Sequence, residues 1–227
     1  MTPPGGRHFH EELAKLKGRL LEMSALAEEL VRQAVDAFEQ HDVEKARHVI
    51  EADNRLDALE IAIDDLCIHL LALHQPMARD LRFLTMAMKI GNDLERVGDH
   101  AVNIAQAVER LVGQAPLPTP PEIEEMEREV IEMLGDVIDA FVRGDAEAAR
   151  AVIRRDDRVD ALRHSLDRVL LTHMMEDPRK IGPGLSLLLV ARNLERIGDL
   201  ATNIAEDVVY LVEGKIIKHP AAQEQVN

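Results

Sequence analysis

The sequence predicts an all-α protein made of two tandem, similar three-helix bundles, six long helices in all, related by an internal pseudo-twofold repeat. Three observations predict it. A twelve-residue segment occurs twice. Apolar residues recur at heptad spacing over long stretches. The hydrophobic residues make up 46% of the chain, yet Trp is absent and Tyr occurs once, at Tyr210. A core built from Leu, Ile, Val, Ala and Met favours helix, because strands enrich aromatic and β-branched residues.

The repeat is explicit. Leu94–Ala105 reads LERVGDHAVNIA and Leu194–Ala205 reads LERIGDLATNIA, nine of twelve positions matching at an offset of 100. Upstream, Asp36-Ala37-Phe38 recurs as Asp139-Ala140-Phe141, Asp42 aligns with Asp145, and the pair Asp53/Asp57 aligns with Asp156/Asp160, all at an offset of 103. The change of three residues implies a deletion in the second copy, placed near the Pro76 and Pro178 connections, where loops absorb changes of length. Between the copies Gly113–Pro121 reads GQAPLPTPP, too dense in proline for helix or sheet. The expected domains are residues 1–113, a linker at 114–121, and residues 122–227.

Each copy divides into three helices, expected at 8–40, 42–74 and 76–112, then 121–143, 145–176 and 178–213. Asp42 and Asp145 are suited to N-caps, and Asp177-Pro178 reads as a cap followed by a first-turn proline. Gly113 and Gly214 suit helix ends. Gly182-Pro183-Gly184 is expected to disturb the start of the last helix, and the chain from Pro220 to fray. In the third helix Phe83, Ala87, Ile90, Leu94, Val97, Ala101, Ile104, Val108 and Leu111 step alternately by four and three, which marks an a/d seam. The sixth repeats it from Leu187 to Leu211, and the first carries Leu16, Leu20, Met23, Ala27, Leu30, Ala34 and Ala37.

The formal net charge of -15 argues against nucleic acid and against direct contact with anionic lipid. The single cysteine, Cys67, allows no internal disulfide and suits a reducing compartment. No stretch near the N-terminus resembles a signal peptide and none approaches a membrane span. A cytoplasmic chain is expected.

The polar residues kept between the copies mark the candidate site. With Leu94 at position a, Glu95 is b, Asp99 and Asn92 are f, and Asn103 is c, all away from the seam. Glu195, Asp199 and Asn203 are their counterparts. Glu95 and Asp99 are four apart and so neighbour each other. The second helix of each copy offers a facing row: Asp53, Asp57, Glu60 and Asp64, then Asp156, Asp160, Arg163 and Asp167. Like charges at this spacing are mildly destabilising. Their repetition on two helices of both copies points to a cation that offsets the repulsion, although outward acids on bundle helices commonly serve only as a solvated face. Oxygen-only ligands suit magnesium, calcium, manganese or iron. Gly98 and Gly198 sit mid-helix, where glycine costs about 1 kcal/mol against alanine; close helix approach is the preferred reading. Arg96 and Arg196 are read as screening or pairing with the acids. His100 is a weaker ligand candidate, since Leu200 is its counterpart.

NDLERVGDHAVNIA and ARNLERIGDLATNIAEDVVYLVEGK resemble the paired signatures of the PhoU family, and HFHEELAKLKGRLLEMSALAEE resembles the start of its members. The resemblance covers nearly the whole chain. It implies two three-helix bundles whose acidic motifs bind metal ions, with iron, zinc or magnesium as candidates. Carried over by position, those motifs are Asp53/Asp57 and Glu95/Asp99, then Asp156/Asp160 and Glu195/Asp199. It also implies a negative regulator of the phosphate-starvation response, a homodimer that connects a phosphate-specific ABC transporter ATPase with a sensor histidine kinase and meets the membrane only through them. The chain departs from the pattern at Leu200, at Arg163 in place of the acid equivalent to Glu60, and at Arg192 in place of Asn92. The second site is therefore expected to be the weaker.

No phosphate loop, Gly-x-Ser-x-Gly or His-Glu-x-x-His is present, so no enzyme is expected. The alternative weighed is a ferritin-like carboxylate metalloenzyme. Such sites need inward Glu-x-x-His pairs, and no histidine here has Glu three residues before it.

Overall fold

The structure is a computed structural model, and it describes residues 4–114 and 117–215. Six long helices account for nearly all of them: α1 (Pro4–Gln40), α2 (Val43–His74), α3 (Arg79–Leu111), α4 (Pro121–Arg143), α5 (Ala146–Glu176) and α6 (Ile181–Glu213). No strand occurs among the described residues. The stretch from Pro220 and part of the proline-rich linker lie outside them.

The local signals act where expected. The Asp42 carboxylate accepts the Lys45 amide N–H at 3.0 Å, and Asp145 accepts those of Glu147 and Ala148. Each satisfies donors that the first turn of a helix leaves open. Gly144 and Gly214 end α4 and α6 in the left-handed conformation, with φ of 68° and 70°, the state that a residue without a Cβ enters at least cost. The heptad residues of α1 and α6 are all buried. In α3, Phe83 is only partly buried and instead stacks on Phe141 of α4, with ring centroids 4.8 Å apart.

Three helix starts differ from expectation by three residues or more. α1 starts at Pro4 rather than residue 8. α3 starts at Arg79 rather than residue 76, because Gln75 and Ala78 take positive φ values of 44° and 49°, and Pro76 keeps its predecessor out of the right-handed helix. After Asp177 a single 3₁₀ turn (Pro178–Lys180) precedes α6. Gly182-Pro183-Gly184 does not disturb α6 but forms its first turn, where proline removes an N–H that has no helical acceptor anyway. Buried positions keep the offset of 103 through Cys67/Leu170 and that of 100 from Ala87/Leu187, so the change of register falls across the α2–α3 and α5–α6 connections.

Within each repeat the three helices pack on one another, and the repeats lie side by side through α3 on α6 and α1 on α4. The seam between α3 and α6 is antiparallel: Lys89 pairs with Asp207 at 2.7 Å, and His100 meets Asn193 at 2.9 Å. α3, packed against α1, α2 and α6, buries a wider stripe than an a/d seam needs, including Ala105, Ala107, and Gly91 and Gly98, which face α2. α2 and α5 are left at the two outer edges, each with one flank of its partner helix open to solvent.

Candidate functional site

The eight acids fall into two groups, each where an outer helix meets its central partner. In the first repeat, Asp53 and Asp57 on α2 face Glu95 and Asp99 on α3. Asp57 and Asp99 are exposed, while Glu95 and Asp53 are partly buried. In the second, Asp156 and Asp160 on α5 face Glu195 and Asp199 on α6, with Asp160 exposed and the other three partly buried. None is sealed in the core. The outward placement expected from the helical wheels holds for Asp57, Glu95, Asp99, Asp160, Glu195 and Asp199, whereas Asp53 and Asp156 turn inward against α3 and α6.

The two inner acids lie against glycine. A Cβ on Gly98 would overlap both the Asp53 carboxylate and the Leu56 side chain. A Cβ on Gly198 would stand 3.3 Å from Asp156 Oδ1. Close helix approach and room beside the site are thus one feature, because what approaches the α3 backbone is the acid itself. The missing side chain lets α2 set Asp53 against α3, and α5 sets Asp156 against α6 in the same manner.

This placement is electrostatically costly. Burial first, and then the charges of Asp57 and Asp99, push Asp53 up to about 6. Burial, then Asp199 and Asp160, push Asp156 up to about 6 as well. Glu95 is raised by burial, then by Asp99, Glu60, Asp57 and Asp53. A carboxylate is disfavoured by low dielectric and by like charge alike. Asp53 Oδ1 is also buried with no hydrogen-bond partner, an uncommon condition for a strong acceptor. A crowded, acceptor-only carboxylate set with an orphaned oxygen at Asp53 fits a hard cation, which would satisfy that oxygen and offset the like-charge repulsion. Among the described residues no three His, Cys, Asp or Glu side chains already form a set that could hold an ion, so side-chain rotation on the solvent side would have to complete one.

The second group is altered as the sequence suggested. Arg163 Nε stands 2.7 Å from Glu195, and its Nη1 stands 3.3 Å from Asp167. A guanidinium fills the role that a cation would take and holds one of the four acids. His100 faces away from the acids of its own repeat and pairs with Asn193 of α6. Among the described residues the buried carboxylates are Glu129 and Asp207. Each is ion-paired, with Arg155 and Lys89 respectively. The inward set of facing carboxylates that a ferritin-like centre needs is not formed there.

Two features escaped the reading of the sequence. Carboxylates gather between the repeats: Glu28, Asp36 and Glu39 on α1 with Glu124, Glu127 and Asp139 on α4, of which Glu127 is pushed up to about 7 by burial and its acidic neighbours. The repeated Asp36/Asp139 was the available signal. Arg96 and Arg196 line one pocket at the α3–α6 seam, which no single-helix wheel can place.

The architecture is thus a doubled three-helix unit with an acid row kept on the same flank of each copy. A protein-family model for the PhoU domain matches the chain twice, over residues 20–108 and 123–208. The chain belongs to the PhoU family. The phosphate-specific transport system accessory protein PhoU homolog of Aquifex aeolicus (strain VF5) is 41% identical over 215 residues, covering 95% of this chain and 97% of that protein. The phosphate-specific transport system accessory protein PhoU of Escherichia coli (strain K12) is 36% identical over 216 residues, covering 95% and 90%. The crystal structure of PhoU from Pseudomonas aeruginosa superposes with a TM-score of 0.85 at 40% identity, covering 91% of this chain and 100% of that one. That of the phosphate transport system regulatory protein PhoU from Streptococcus pneumoniae gives 0.85 at 31% identity, covering 92% and 99%. Both PhoU repeats contain the acid rows, and no helix among the described residues is long and apolar enough to cross a membrane.

Proposed function

We propose that the protein is a non-enzymatic regulator of phosphate transport: a cytoplasmic adaptor that couples a phosphate-specific ABC transporter ATPase to a sensor histidine kinase and holds down the phosphate-starvation response. The observation that carries this reading is the extent of the likeness. Relatives named as phosphate-specific transport system accessory proteins match 95% of its length, so the likeness is to a whole scaffold rather than to a detachable module. The surface suits the role. The outer helix α2 exposes Ile61, Ile68 and Leu73, with Met77 just beyond its end 80% exposed, and large apolar side chains left in water mark interaction surfaces.

In this reading Asp53, Asp57, Glu95 and Asp99 hold a metal ion in the first repeat, and Asp156, Asp160, Glu195 and Asp199 hold one more weakly in the second. A bound iron, zinc or magnesium ion would supply positive charge that ties α2 to α3 and makes the acidic flank presentable to a partner. The protein acts as a homodimer and reaches the membrane only through its partners. The test is co-purification of the full chain from cells that contain both the transporter ATPase and the kinase. Recovery of either one supports the adaptor, and a clean absence of both contradicts it.

A further inference from the structure

We propose that the seam between α3 and α6 carries an oxyanion site, and that its ligand is inorganic phosphate in a form that still bears a proton. The site is a surface pocket of about 260 Å³ lined by Arg96, His100, Arg196, Asp199, Thr202 and Asn203, together with Leu200. It lies between the repeats and shares Asp199 with the acid group of the second repeat, and it does not depend on the adaptor reading.

Four observations carry it. First, Arg96 and Arg196, which occupy equivalent positions in the two repeats, line the same pocket. Two cationic side chains on one pocket favour an anion between them. Second, their local ion pairs do not explain their retention. Arg96 reaches back to Asp93 at 3.4 Å, while Arg196 reaches forward to Asp199 at 3.3 Å. The partner differs between copies; the position facing the seam is what they have in common. Both pairs are long and both guanidiniums are about half exposed, although Asp93 is itself largely buried, so each pair leaves its arginine open to solvent. Each uses one donor of a planar fork that carries five, which leaves both forks able to accept an oxyanion.

Third, Thr202 lines the pocket, and its hydroxyl oxygen is buried without a hydrogen-bond partner, so that a rotation about χ1 would turn an unsatisfied donor toward a bound oxyanion. Its counterpart in the first repeat is Val102, so this hydroxyl is not inherited from the shared pattern. The opposite wall is held in place: Asn193 donates to the Leu189 carbonyl at 2.8 Å, which turns its Oδ1 toward His100 Nδ1. Fourth, the pocket includes a carboxylate, Asp199, that can only accept hydrogen bonds. A fully deprotonated oxyanion such as sulfate would meet it lone pair to lone pair. A phosphate that keeps one P–O–H can donate to it. The donors supply attraction for any oxyanion, and Asp199 supplies the preference for phosphate. Because the protein carries a net charge of -15, long-range steering opposes anions, so saturation is expected only at about millimolar phosphate.

The test is calorimetric titration of the full chain, stripped of metal and kept in chelator, with sodium phosphate and separately with sodium sulfate at constant ionic strength. The expected result is one saturable phosphate event that is weakened about tenfold or more in Arg96→Gln and in Arg196→Gln, with sulfate weaker than phosphate by a similar factor. Asp199→Asn should bring sulfate up to the level of phosphate. The proposal is overturned if metal-free protein shows no saturable phosphate binding, if both arginine variants bind as the parent does, or if the parent binds sulfate as tightly as phosphate. The last comparison needs no variant, so a folding defect in a substituted protein cannot shield the idea.

Discussion

At Asp53 the fold places a carboxylate where neither water nor a hydrogen-bond donor fully meets it. One of its oxygens is buried and unpartnered, its group is pushed up to about 6, and the backbone of Gly98 is what admits it. Alanine at position 98 would gain about 1 kcal/mol of helix propensity. It would lose more, since its Cβ overlaps Asp53 and Leu56 and overpacking costs about 1–3 kcal/mol. Gly98→Ala should therefore lower the midpoint of urea unfolding. Gly198→Ala should do so less, because its nearest neighbour, Asp156 Oδ1, stands at 3.3 Å. A Gly98→Ala protein at least as stable as the parent would show that the approach of α2 to α3 is looser than described. The acids themselves were legible in the sequence because they recur at outward wheel positions. The depth of Asp53 and Asp156 was not, since a wheel gives direction and not distance from a neighbouring backbone. The mid-helix glycines were the clue to it. Arg163 was likewise legible as a substitution, but its contact with Glu195 at 2.7 Å depends on how α5 and α6 are set side by side.

Among the helices, α5 is tied to α4 at three carboxylates by a single residue, Arg155. Arg155 donates to Glu129 at 2.5 Å, to Glu132 at 2.6 Å and to Asp136 at 2.8 Å. Glu129 is 7% exposed, so without its guanidinium it would stay buried with only the longer contact to Arg158 at 3.5 Å. Leaving a buried charged group under-satisfied costs about 1–3 kcal/mol or more. Arg155→Ala should destabilise the protein by about that much, and adding Glu129→Ala should recover part of the loss. Chemical denaturation of the two variants checks this, and strict additivity of the two substitutions would contradict it. Helix ends were readable wherever a local cap determines them, as at Asp42, Asp145 and Gly214. The start of α3 was not. Gln75 is left-handed and Ala78 also takes a positive φ, conformations that their side chains do not advertise, whereas glycine there would have.

Over the whole molecule, the repeats share a broad interface that heptads could not announce. An a/d pattern reports one buried stripe, and further buried positions of α3 such as Ala105 and Ala107 are written in small residues that also suit a solvent face. Between α1 and α4 that interface collects acids. Burial, then Asp36 and Glu39, push Glu127 from the ordinary 4.5 up to about 7, against the smaller pull of Arg32. Between those two values the folded protein holds a proton that the unfolded chain has released, so stability should fall as pH rises from about 4.5 through about 7. Thermal midpoints across that window should show the decline, and Glu127→Gln should flatten it; an unchanged slope in the variant would place its origin elsewhere. The central claim is that the acid rows kept on the flank of each repeat are cation sites rather than bare solvated surface. Elemental analysis of the full chain purified without chelator, alongside the double variant Glu95→Ala/Asp99→Ala, tests it most directly. The account predicts bound metal in the parent and less in the variant, with the helical circular-dichroism signal unchanged. A parent that holds no metal and takes up none on reloading, or a variant that holds as much as the parent, would contradict it.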